Sequence, residues 1–543
     1  MKVNRRNVWP EYFLALFTGL MGILNLISAA APAVQTRLEI ISDIFPFEVR
    51  VGTRLATAFI GFALILLASG IWRHKRTAWL VTLPTLVIST IFHLMKGLDY
   101  EAALISLVLI ILLVIYRGRF TAKSDPPTIR RGLIVLVVAV IFVLLYGTIG
   151  FYFLDRHFSV HYSLMQAVNQ TLAMFFEYKP PSLQPLTRYG KFFVDSIYVL
   201  GIGVIGYALF AILSPVILRE AARDIDREKA EKIIQAYGRT VLARFCLFKD
   251  KSYFFSPNGS VISFAVNRRM AVVLGDPVGP REDVLDALRA FKEFCIGNDW
   301  LPVFYQTLPE YLEEYKSVGL RSLKIGEEAI VPLAGFQLAG GEMKSLRTSV
   351  NKMTRLGFTQ EVLPPPHSPE LLAQLESISN EWMLEQNGKE MKFSMGWFDR
   401  GYLNTTLVLV IRDAEGQPVA FANLVSEYQN NEMAVDLMRH KSDAPAGVMD
   451  FLFVSMLNYA KEAGFATFNL GLSGLAGVGE SNSDPAIEKA LHFIYTSVRT
   501  AYNYKGLHNF KEKFNPAWEP RYLVYPGLQS LPVVALAVSS VSS

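Results

Sequence analysis

Long apolar runs recur through the first 218 residues, and they constrain this chain more than any other feature. Each run is close to the ~20 residues that an α-helix needs to cross ~30 Å of hydrocarbon. An α-helical membrane domain is therefore predicted over residues 1–218, and a further apolar stretch, Leu164–Phe176, is predicted to lie in the interface or to re-enter. The six candidate spans are Tyr12–Ala31, Leu55–Trp72, Ala78–Leu94, Ala102–Tyr116, Gly132–Phe153 and Ile197–Leu218.

Basic residues mark alternate connections between these spans. Lys and Arg cluster before the first span, between the second and third, between the fourth and fifth, and after the sixth. The positive-inside rule then places both termini in the cytoplasm, so everything after about residue 219 is expected to be cytoplasmic. We expect a multi-pass membrane protein, and the family resemblance described below implies the bacterial plasma membrane. Ionisable residues near the spans, such as His93, Lys96 and Asp195, lie at span ends, which favours an anchor or lipid-access platform over a transporter.

Several classes of protein are disfavoured by what the sequence contains. The net charge of +5 is mild and suits work near anionic lipid or nucleic acid. Two cysteines, Cys246 and Cys295, rule out a disulfide framework or a Cys-rich metal site. The sequence has no HExxH, no GxSxG and no clustered metal ligands, so we expect neither a metal nor a cofactor. The Gly-rich stretch Gly471–Gly479 lacks the P-loop pattern and is interpreted as a flexible active-site loop.

Strand and helix patterns alternate after the membrane domain. They divide into one α/β unit over residues 219–330 and a second over residues 331–530, followed by a C-terminal tail over residues 531–543. Two successive units with this element order predict tandem N-acetyltransferase-like folds. The second unit carries the polar segments described next, and we expect the active site there.

The densest polar segment, Tyr504–Pro526, interleaves cations with aromatic residues. Cations bind phosphate, whereas aromatic rings lie at lipid interfaces or stack on bases. A solvated basic surface with its aromatics in the core is the alternative interpretation. The cations of this segment are Lys505, Lys511, Lys513 and Arg521.

Asp436 lies in an apolar strand, Ala434–His440, where burial of a carboxylate requires a partner. Arg439 is the nearest candidate in sequence. Strict strand alternation places the two side chains on opposite faces, so they converge only if the strand ends or bulges, as strands often do beside active sites. The alternative is a structural ion pair.

A basic helix is predicted over Met343–Leu356. Positions 344, 347, 351 and 355 share one face, which gives a stripe able to follow a phosphate backbone. An ordinary solvated face is the alternative. The basic residues of this helix are Lys344, Arg347, Lys352 and Arg355.

The order of several motifs resembles a known family. VDLMRH, PAGVMDFL, FNLGLS and YKGLHNFKEKFNPAWEPRYLVYP follow one another as in the aminoacyl-phosphatidylglycerol synthase domain, the C-terminal synthase part of the multiple peptide resistance factor. The upstream FFSPNGSVISFAVNRRMAVVLGDPVG and SLRTSVNKMTRLGF fit as well. The resemblance covers about residues 230–526, and the final block is its most specific part.

The resemblance implies two acetyltransferase-like folds behind membrane helices, and transfer of lysine or alanine from aminoacyl-tRNA to phosphatidylglycerol. It implies lysyl-tRNA as the commonest donor, reduced membrane negative charge and resistance to cationic antimicrobial peptides. Full-length members carry many more spans, which form a lipid flippase, so about six spans lead us to expect that this module is missing. A CoA-dependent membrane acyltransferase and a lipid transporter with a regulatory domain remain alternatives. The pyrophosphate-binding turn that the former requires is absent from HKSDAPAGVMD.

Asp436, Arg439 and Lys511 fall on positions that the motifs of this family treat as functional. The resulting hypothesis is that Arg439 and Lys511 hold the lipid phosphate, while Asp436 orients Arg439 or assists deprotonation of the glycerol hydroxyl. Lys505, Lys513 and Arg521 would support phosphate binding. The tRNA contacts would come from Lys344, Arg347, Lys352 and Arg355.

Overall fold

The computed structural model separates into two compact units. One comprises Met1–Ile217 with Ile296–Trp300, and the other comprises Leu218–Cys295 with Leu301–Ser543. The residues that the structure describes are 9–30, 47–97, 99–123, 126–153, 158–176, 185–213, 223–385, 390–479, 488 and 504–542.

The first unit is helical, and each predicted span falls on one of its helices. Among the described residues, four helical segments are long and apolar enough to cross a membrane, namely Trp9–Ser28, Arg76–Leu94, Leu136–Phe153 and Gly190–Ala208. Phe59–Trp72 and Tyr100–Ile115 are shorter apolar helical segments. The count of six spans and the orientation of the termini stay predictions. Residues 31 and 214–218 of the predicted spans lie outside the described part. The helices are α1 Trp9–Ala30, α2 Phe47–Trp72, α3 Arg76–Gly97, α4 Tyr100–Ile115, α5 Pro126–Phe153, α6 Leu164–Phe176 and α7 Arg188–Leu213.

Small residues bring α1 and α2 close together. A Cβ added at Gly22 would lie 2.6 Å from the Gly61 carbonyl oxygen, so the two backbones touch where helices in a bilayer commonly pack. The polar side chains nearby satisfy one another. Asn25 Nδ2 donates to Ser89 Oγ at 2.9 Å, and His93 Nε2 lies 2.6 Å from Asn25 Oδ1.

In the part of the second unit that the structure describes, the strands form one mixed sheet of eleven, in the order β1-β2-β3-β4-β11-β5-β10-β9-β8-β7-β6. Neighbouring strands are antiparallel except for β3–β4 and β9–β10, which are parallel. The strands are β1 Ser252–Phe255, β2 Val261–Asn267, β3 Met270–Leu274, β4 Leu301–Thr307, β5 Arg321–Pro332, β6 Thr359–Leu363, β7 Leu407–Arg412, β8 Pro418–Ser426, β9 Glu432–His440, β10 Thr467–Gly474 and β11 Ala517–Tyr525.

The predicted fold class is confirmed in its architecture, because an apolar helical region is followed by an α/β region built on a mixed sheet. The domain boundary predicted between residues 330 and 331 stays a prediction. Strand β11 lies between β4 and β5, so the strands before and after this boundary belong to one sheet. The predicted tail contains α17. The helices are α8 Asp224–Tyr237, α9 Leu242–Phe245, α10 Val284–Gly297, α11 Leu312–Ser317, α12 Lys344–Arg355, α13 Pro369–Glu385, α14 Arg400–Leu403, α15 Val448–Glu462, α16 Tyr504–Glu512 and α17 Leu531–Ser542.

Helices cover the two faces of the sheet around β9. On one side, which we call the α15 face, Leu346 of α12 and Phe453 of α15 join one core with Phe514, which follows α16. On the other side, the α8 face, α8 and α17 contribute to a second core, and α13 packs over β8 and β9.

A β-bulge in β9 changes which side chains reach each face. Ala422 pairs with Met438 and Leu424 pairs with Val435, so β9 carries one residue more than β8 in this interval. Val435 packs on the α15 face, whereas Leu437 packs on the α8 face. The extra residue leaves the Leu437 N–H outside the ladder, and it donates to Oδ1 of the fully buried Asn423 at 2.7 Å.

We predict that Asn423→Ala lowers the free energy of unfolding by about 1–3 kcal/mol, because the buried Leu437 N–H loses its acceptor. Denaturant unfolding of the detergent-solubilised protein, followed by tryptophan fluorescence, measures this loss. Asn351→Ala, at an exposed position on α12, is the matched control and should change stability little. Equal stability of the two variants would mean that the bulge does not depend on Asn423.

Candidate active site

Pairing between the parallel strands β9 and β10 ends early. Only three residue pairs join them, and the last is Asn469 with Ala434. Beyond Asn469 the register of β10 against β5 shifts, and β10 continues alongside β5 while β9 continues alongside β8. The two strands therefore leave a gap in the sheet, and residues from both of its faces border this gap.

Asp436 borders the gap on the α8 face. Its Oδ1 accepts from the Gly396 N–H at 2.8 Å, and its Oδ2 accepts from the Tyr402 hydroxyl at 2.6 Å. Burial raises the pKa of Asp436, and these hydrogen bonds and the Arg439 charge offset part of that rise. Gly396 approaches so closely that a Cβ at this position would collide with the Asp436 carboxylate. Asp436 is thus a half-buried, oriented carboxylate able to take up a proton.

Arg439 lies on the same face as Asp436 because of the bulge, since it pairs with Phe421 on the α8 face. Its guanidinium lies 4.1 Å from the Trp382 ring centroid and pairs with Glu390 at 3.3 Å. Burial lowers the pKa of Arg439. Its Nε is buried and has no hydrogen-bond partner among the described residues, which leaves a donor for an anionic ligand.

Lys511 reaches the gap from the other direction. Phe510 and Phe514 flank it in sequence and pack against Phe453, so α16 lies on the α15 face. The Lys511 ammonium donates to the carbonyl oxygens of Gly471 and Leu472, both at 2.9 Å. Burial lowers the pKa of Lys511 to about 7, although the Glu328 charge opposes this effect. A lysine with this pKa exchanges a proton readily near neutral pH.

Hydrogen bonds of Asn469 fix the segment of β10 whose carbonyl oxygens contact Lys511. Asn469 Oδ1 accepts from the Gly471 N–H at 2.7 Å, and Asn469 Nδ2 donates to Glu432 at 3.1 Å. Burial raises the pKa of Glu432 to about 7. Asn469 therefore supports the turn in β10 as Asn423 supports the bulge in β9.

The other cations of the final polar segment lie elsewhere. Lys505 is exposed at the start of α16. Lys513 pairs with Asp450 at 3.0 Å, and the buried Arg521 pairs with Glu328 and Glu519. The structure brings Asp436, Arg439 and Lys511 to one gap, whereas Lys513 and Arg521 already have carboxylate partners. Phosphate binding by Lys505, Lys513 and Arg521 stays a prediction.

The basic helix α12 lies on the α15 face, the same side as Lys511. Its Lys344, Lys352 and Arg355 are exposed. Arg347 instead donates to the carbonyl oxygens of Leu338 at 2.5 Å and Gly340 at 3.1 Å, so it fastens the preceding loop. Contact of all four residues with tRNA stays a prediction, and Arg347 is the least available of them.

Sequence reasoning missed several residues of this site. Asn423 and Asn469 are each a single polar residue in an apolar strand. The same pattern identified Asp436, so the sequence could have indicated both asparagines. Tyr402, Glu390 and Trp382 come from segments whose composition gives no such signal. Within the described ranges, no cluster of three His, Cys, Asp or Glu side chains could hold a metal ion.

The low pKa of Lys511 predicts a pH dependence of stability. Between pH 7 and pH 10 the unfolded chain keeps a proton on Lys511 that the folded chain has released. The free energy of unfolding therefore rises with pH in this window, by at most ~1.4 kcal/mol per pH unit for this group. Lys511→Met should lack this rise, so the stability difference between wild type and variant should grow in favour of wild type from pH 7 to pH 10.

Denaturant unfolding at several pH values between 7 and 10 measures this difference. Lys505→Met is the matched control, because Lys505 is exposed at the start of the same helix, and it should follow the wild-type pH dependence. Parallel pH curves for wild type and Lys511→Met would contradict the burial effect.

Comparisons with known proteins show which proteins this chain resembles. The family model described as phosphatidylglycerol lysyltransferase, C-terminal, matches residues 231–525. A second model, described as the transmembrane region of lysyl-tRNA synthetase, matches residues 6–173. The phosphatidylglycerol lysyltransferase of Bacillus subtilis (strain 168) is 32% identical over 529 residues, which are 97% of this chain and 59% of that protein. That of Staphylococcus xylosus is 35% identical over 312 residues, 57% of this chain and 37% of that protein.

Two solved structures resemble the α/β region. The C-terminal domain of a putative lysylphosphatidylglycerol synthetase from Agrobacterium fabrum is 34% identical, with a TM-score of 0.53, and covers 59% of this chain and 98% of its own. L-PGS from Bacillus licheniformis is 34% identical, with a TM-score of 0.54, and covers 60% and 98%. The match covers 59% of the Bacillus subtilis protein and 37% of the Staphylococcus xylosus protein, so the chain spans only part of their length. The family resemblance predicted from the sequence motifs is confirmed. The chain belongs to the phosphatidylglycerol lysyltransferase family through its C-terminal region.

Proposed function

We propose that this protein transfers an aminoacyl group, in the first place lysyl, from aminoacyl-tRNA to the glycerol hydroxyl of phosphatidylglycerol on the cytoplasmic side of the membrane. The observation that carries this proposal is the gap between β9 and β10. Asp436 and Arg439 border it on the α8 face, and Lys511 approaches it from the α15 face. A reaction between a tRNA and a membrane lipid requires two bulky substrates to meet at one point, and opposite approaches keep them from colliding.

The lipid acceptor approaches on the α8 face in this proposal. Helix α8 gives this face its name, and it is the next described helix along the chain after the apolar helix α7. Arg439, with its unused Nε donor, is placed to bind the lipid phosphate beside the Asp436 carboxylate. Arginine is well suited to phosphate because its planar donors match the phosphate oxygens.

The aminoacyl-tRNA approaches on the α15 face. The exposed cations of α12 lie there, and α16 carries Lys511 to the gap from the same side. Screened attraction between such cations and a phosphate backbone supplies sequence-independent affinity. Because this affinity does not depend on the tRNA sequence, the enzyme selects its tRNA through the attached aminoacyl group. The name of the sequence relatives, phosphatidylglycerol lysyltransferase, supports lysine over alanine as that group.

The reaction exchanges one ester for another. The glycerol hydroxyl oxygen attacks the carbonyl carbon of the aminoacyl ester, and its proton passes to the Asp436 carboxylate. The bond from that carbon to the ribose oxygen then breaks, and the ribose oxygen takes a proton from the Lys511 ammonium. This role replaces the lipid-phosphate contact expected from the sequence, because Lys511 reaches the gap from the α15 face, on the tRNA side. Subsequent proton exchange with water restores both groups. The raised pKa of Asp436 and the lowered pKa of Lys511 suit these opposite roles.

The product changes the charge of the membrane. Phosphatidylglycerol carries one negative charge, and esterification with lysine adds two ammonium groups. The lipid headgroup then carries a net positive charge, which weakens the attraction of cationic peptides to the bilayer. Resistance to cationic antimicrobial peptides is the expected physiological consequence.

Phosphatidylglycerol vesicles supplied with individually labelled aminoacyl-tRNAs test this function in the full-length chain. We expect label from lysyl-tRNA in the lipid fraction, and label from alanyl-tRNA alone would change the assigned donor. Asp436→Asn should lower the rate about 10²- to 10⁴-fold, as the loss of a general base does. Asp286→Asn, an exposed position on α10, is the matched control. A wild-type rate in Asp436→Asn would remove Asp436 from proton transfer.

The proposed approach of tRNA on the α15 face gives a separate prediction. Replacing Lys344 and Arg355 together by Ala should weaken tRNA binding and reduce the slope of log affinity against log salt by about 1–2. Filter binding at several salt concentrations measures both quantities. Lys316→Ala on α11, also exposed, is the control. An unchanged salt slope in the double variant would place the tRNA elsewhere.

A further inference from the structure

A cavity of about 340 Å³ lies beside the proposed site on the far side of Tyr402. Phe248, Trp397 and Tyr402 supply its aromatic lining, and Arg227 of α8 and Lys249 also line it. Its volume falls at the lower end of the range of ordinary ligand pockets. Nothing in the proposed chemistry uses this cavity.

The aromatic wall leads to Asp436 through Tyr402. The Phe248 ring meets the Trp397 ring edge to face at 5.2 Å, and the Tyr402 ring at 5.1 Å. The Tyr402 hydroxyl donates to Asp436 at 2.6 Å. The Tyr402 ring therefore borders the cavity while its hydroxyl contacts the Asp436 carboxylate. A ligand in the cavity is separated from Asp436 by the Tyr402 side chain.

The polar groups of the cavity favour an anionic ligand. Lys249 is exposed, and Arg227 Nε is buried without a hydrogen-bond partner among the described residues, although Arg227 Nη1 contacts Asp224 at 3.3 Å. The acidic residue that lines the cavity, Asp399, already accepts the Tyr402 N–H as the N-cap of α14. The cavity thus combines an apolar wall with cationic side chains.

We propose that this cavity binds the acceptor phospholipid. Its aromatic wall takes the glycerol backbone and the first acyl carbons, Arg227 and Lys249 attract the anionic lipid to the cavity, and the headgroup hydroxyl reaches Asp436 beyond Tyr402. This assignment rests on the proposed function. It gives the lipid a site of its own on the α8 face, separate from the tRNA on the α15 face.

A nucleoside of the tRNA 3′ end is the competing ligand, because bases stack on aromatic rings. Two observations favour the lipid. The rings of Phe248, Trp397 and Tyr402 meet edge to face, at interplanar angles of 66° and 84°, so they form no parallel pair to hold a base. The exposed cations of α12 also lie on the opposite face of the sheet.

Steady-state kinetics of the full-length chain in mixed micelles test the proposal. Trp397→Ala should raise the KM for phosphatidylglycerol roughly tenfold, as the loss of a central aromatic contact does, while the KM for lysyl-tRNA stays unchanged. Lys249→Ala should raise the same KM by a smaller factor that disappears at high salt. Tyr237→Ala, a half-exposed aromatic position on α8 outside the cavity, is the matched control. An unchanged lipid KM in Trp397→Ala overturns the proposal, and a raised KM for lysyl-tRNA instead assigns the cavity to the nucleoside.

A binding measurement separates this inference from the proposed function. Phosphatidylglycerol with brominated acyl chains quenches tryptophan fluorescence on contact, and Trp397→Phe removes the contribution of this one ring. We expect quenching in wild type to exceed that in Trp397→Phe. If wild type forms aminoacyl-lipid but the two proteins quench equally, the cavity assignment fails alone. If the extra quenching is present but no aminoacyl-lipid forms from any aminoacyl-tRNA, the proposed function fails and the lipid site stands.

Discussion

The hydrogen bond from the Leu437 N–H to Asn423 accommodates one extra residue in β9, and the site depends on that residue. Without it, strand alternation would place Arg439 under α15, away from Asp436. With it, both side chains project from the α8 face at the gap between β9 and β10. A single buried amide therefore determines that Arg439 shares the α8 face with Asp436.

Charge is concentrated where the sheet excludes water. Lys511 and Arg439 are buried and Asp436 is half-buried, and each is held by hydrogen bonds or rings before any substrate arrives. Such groups cost free energy in the folded state, but they need no reorganisation when charge develops during a reaction. The neutral carbonyls that hold Lys511 matter here, because a carboxylate partner would keep its pKa high and its proton in place. The paired Arg521, which is locked to Glu328, shows the opposite arrangement in the same fold.

Local sequence patterns predicted the membrane helices, the order of strands and helices, and the condition under which Asp436 and Arg439 meet. They did not predict the partners that come from distant segments. Glu328 lies 193 residues before Arg521, and Tyr402 lies 34 residues before Asp436, so no local pattern links either pair. The sequence pattern treats Tyr504–Pro526 as one basic segment, whereas the structure separates its cations. Lys511 lies at the gap, Lys513 and Arg521 lie in ion pairs, and Lys505 is exposed to solvent. The position of β11 was equally hidden, since strand order in a sheet is a non-local property.

Strand β11 closes the sheet between β4 and β5, although it comes last in sequence among the described strands. A ribosome must therefore complete residue 525 before the two halves of the sheet can be joined. Until then the exposed edges of β4 and β5 lack their common neighbour, and such edges invite pairing with other chains. Emergence of the preceding apolar helices first would tether this unfinished intermediate to the membrane and limit such encounters. The topology thus makes late folding at the membrane surface a property of the chain itself, and it predicts that fragments ending before β11 are prone to aggregate.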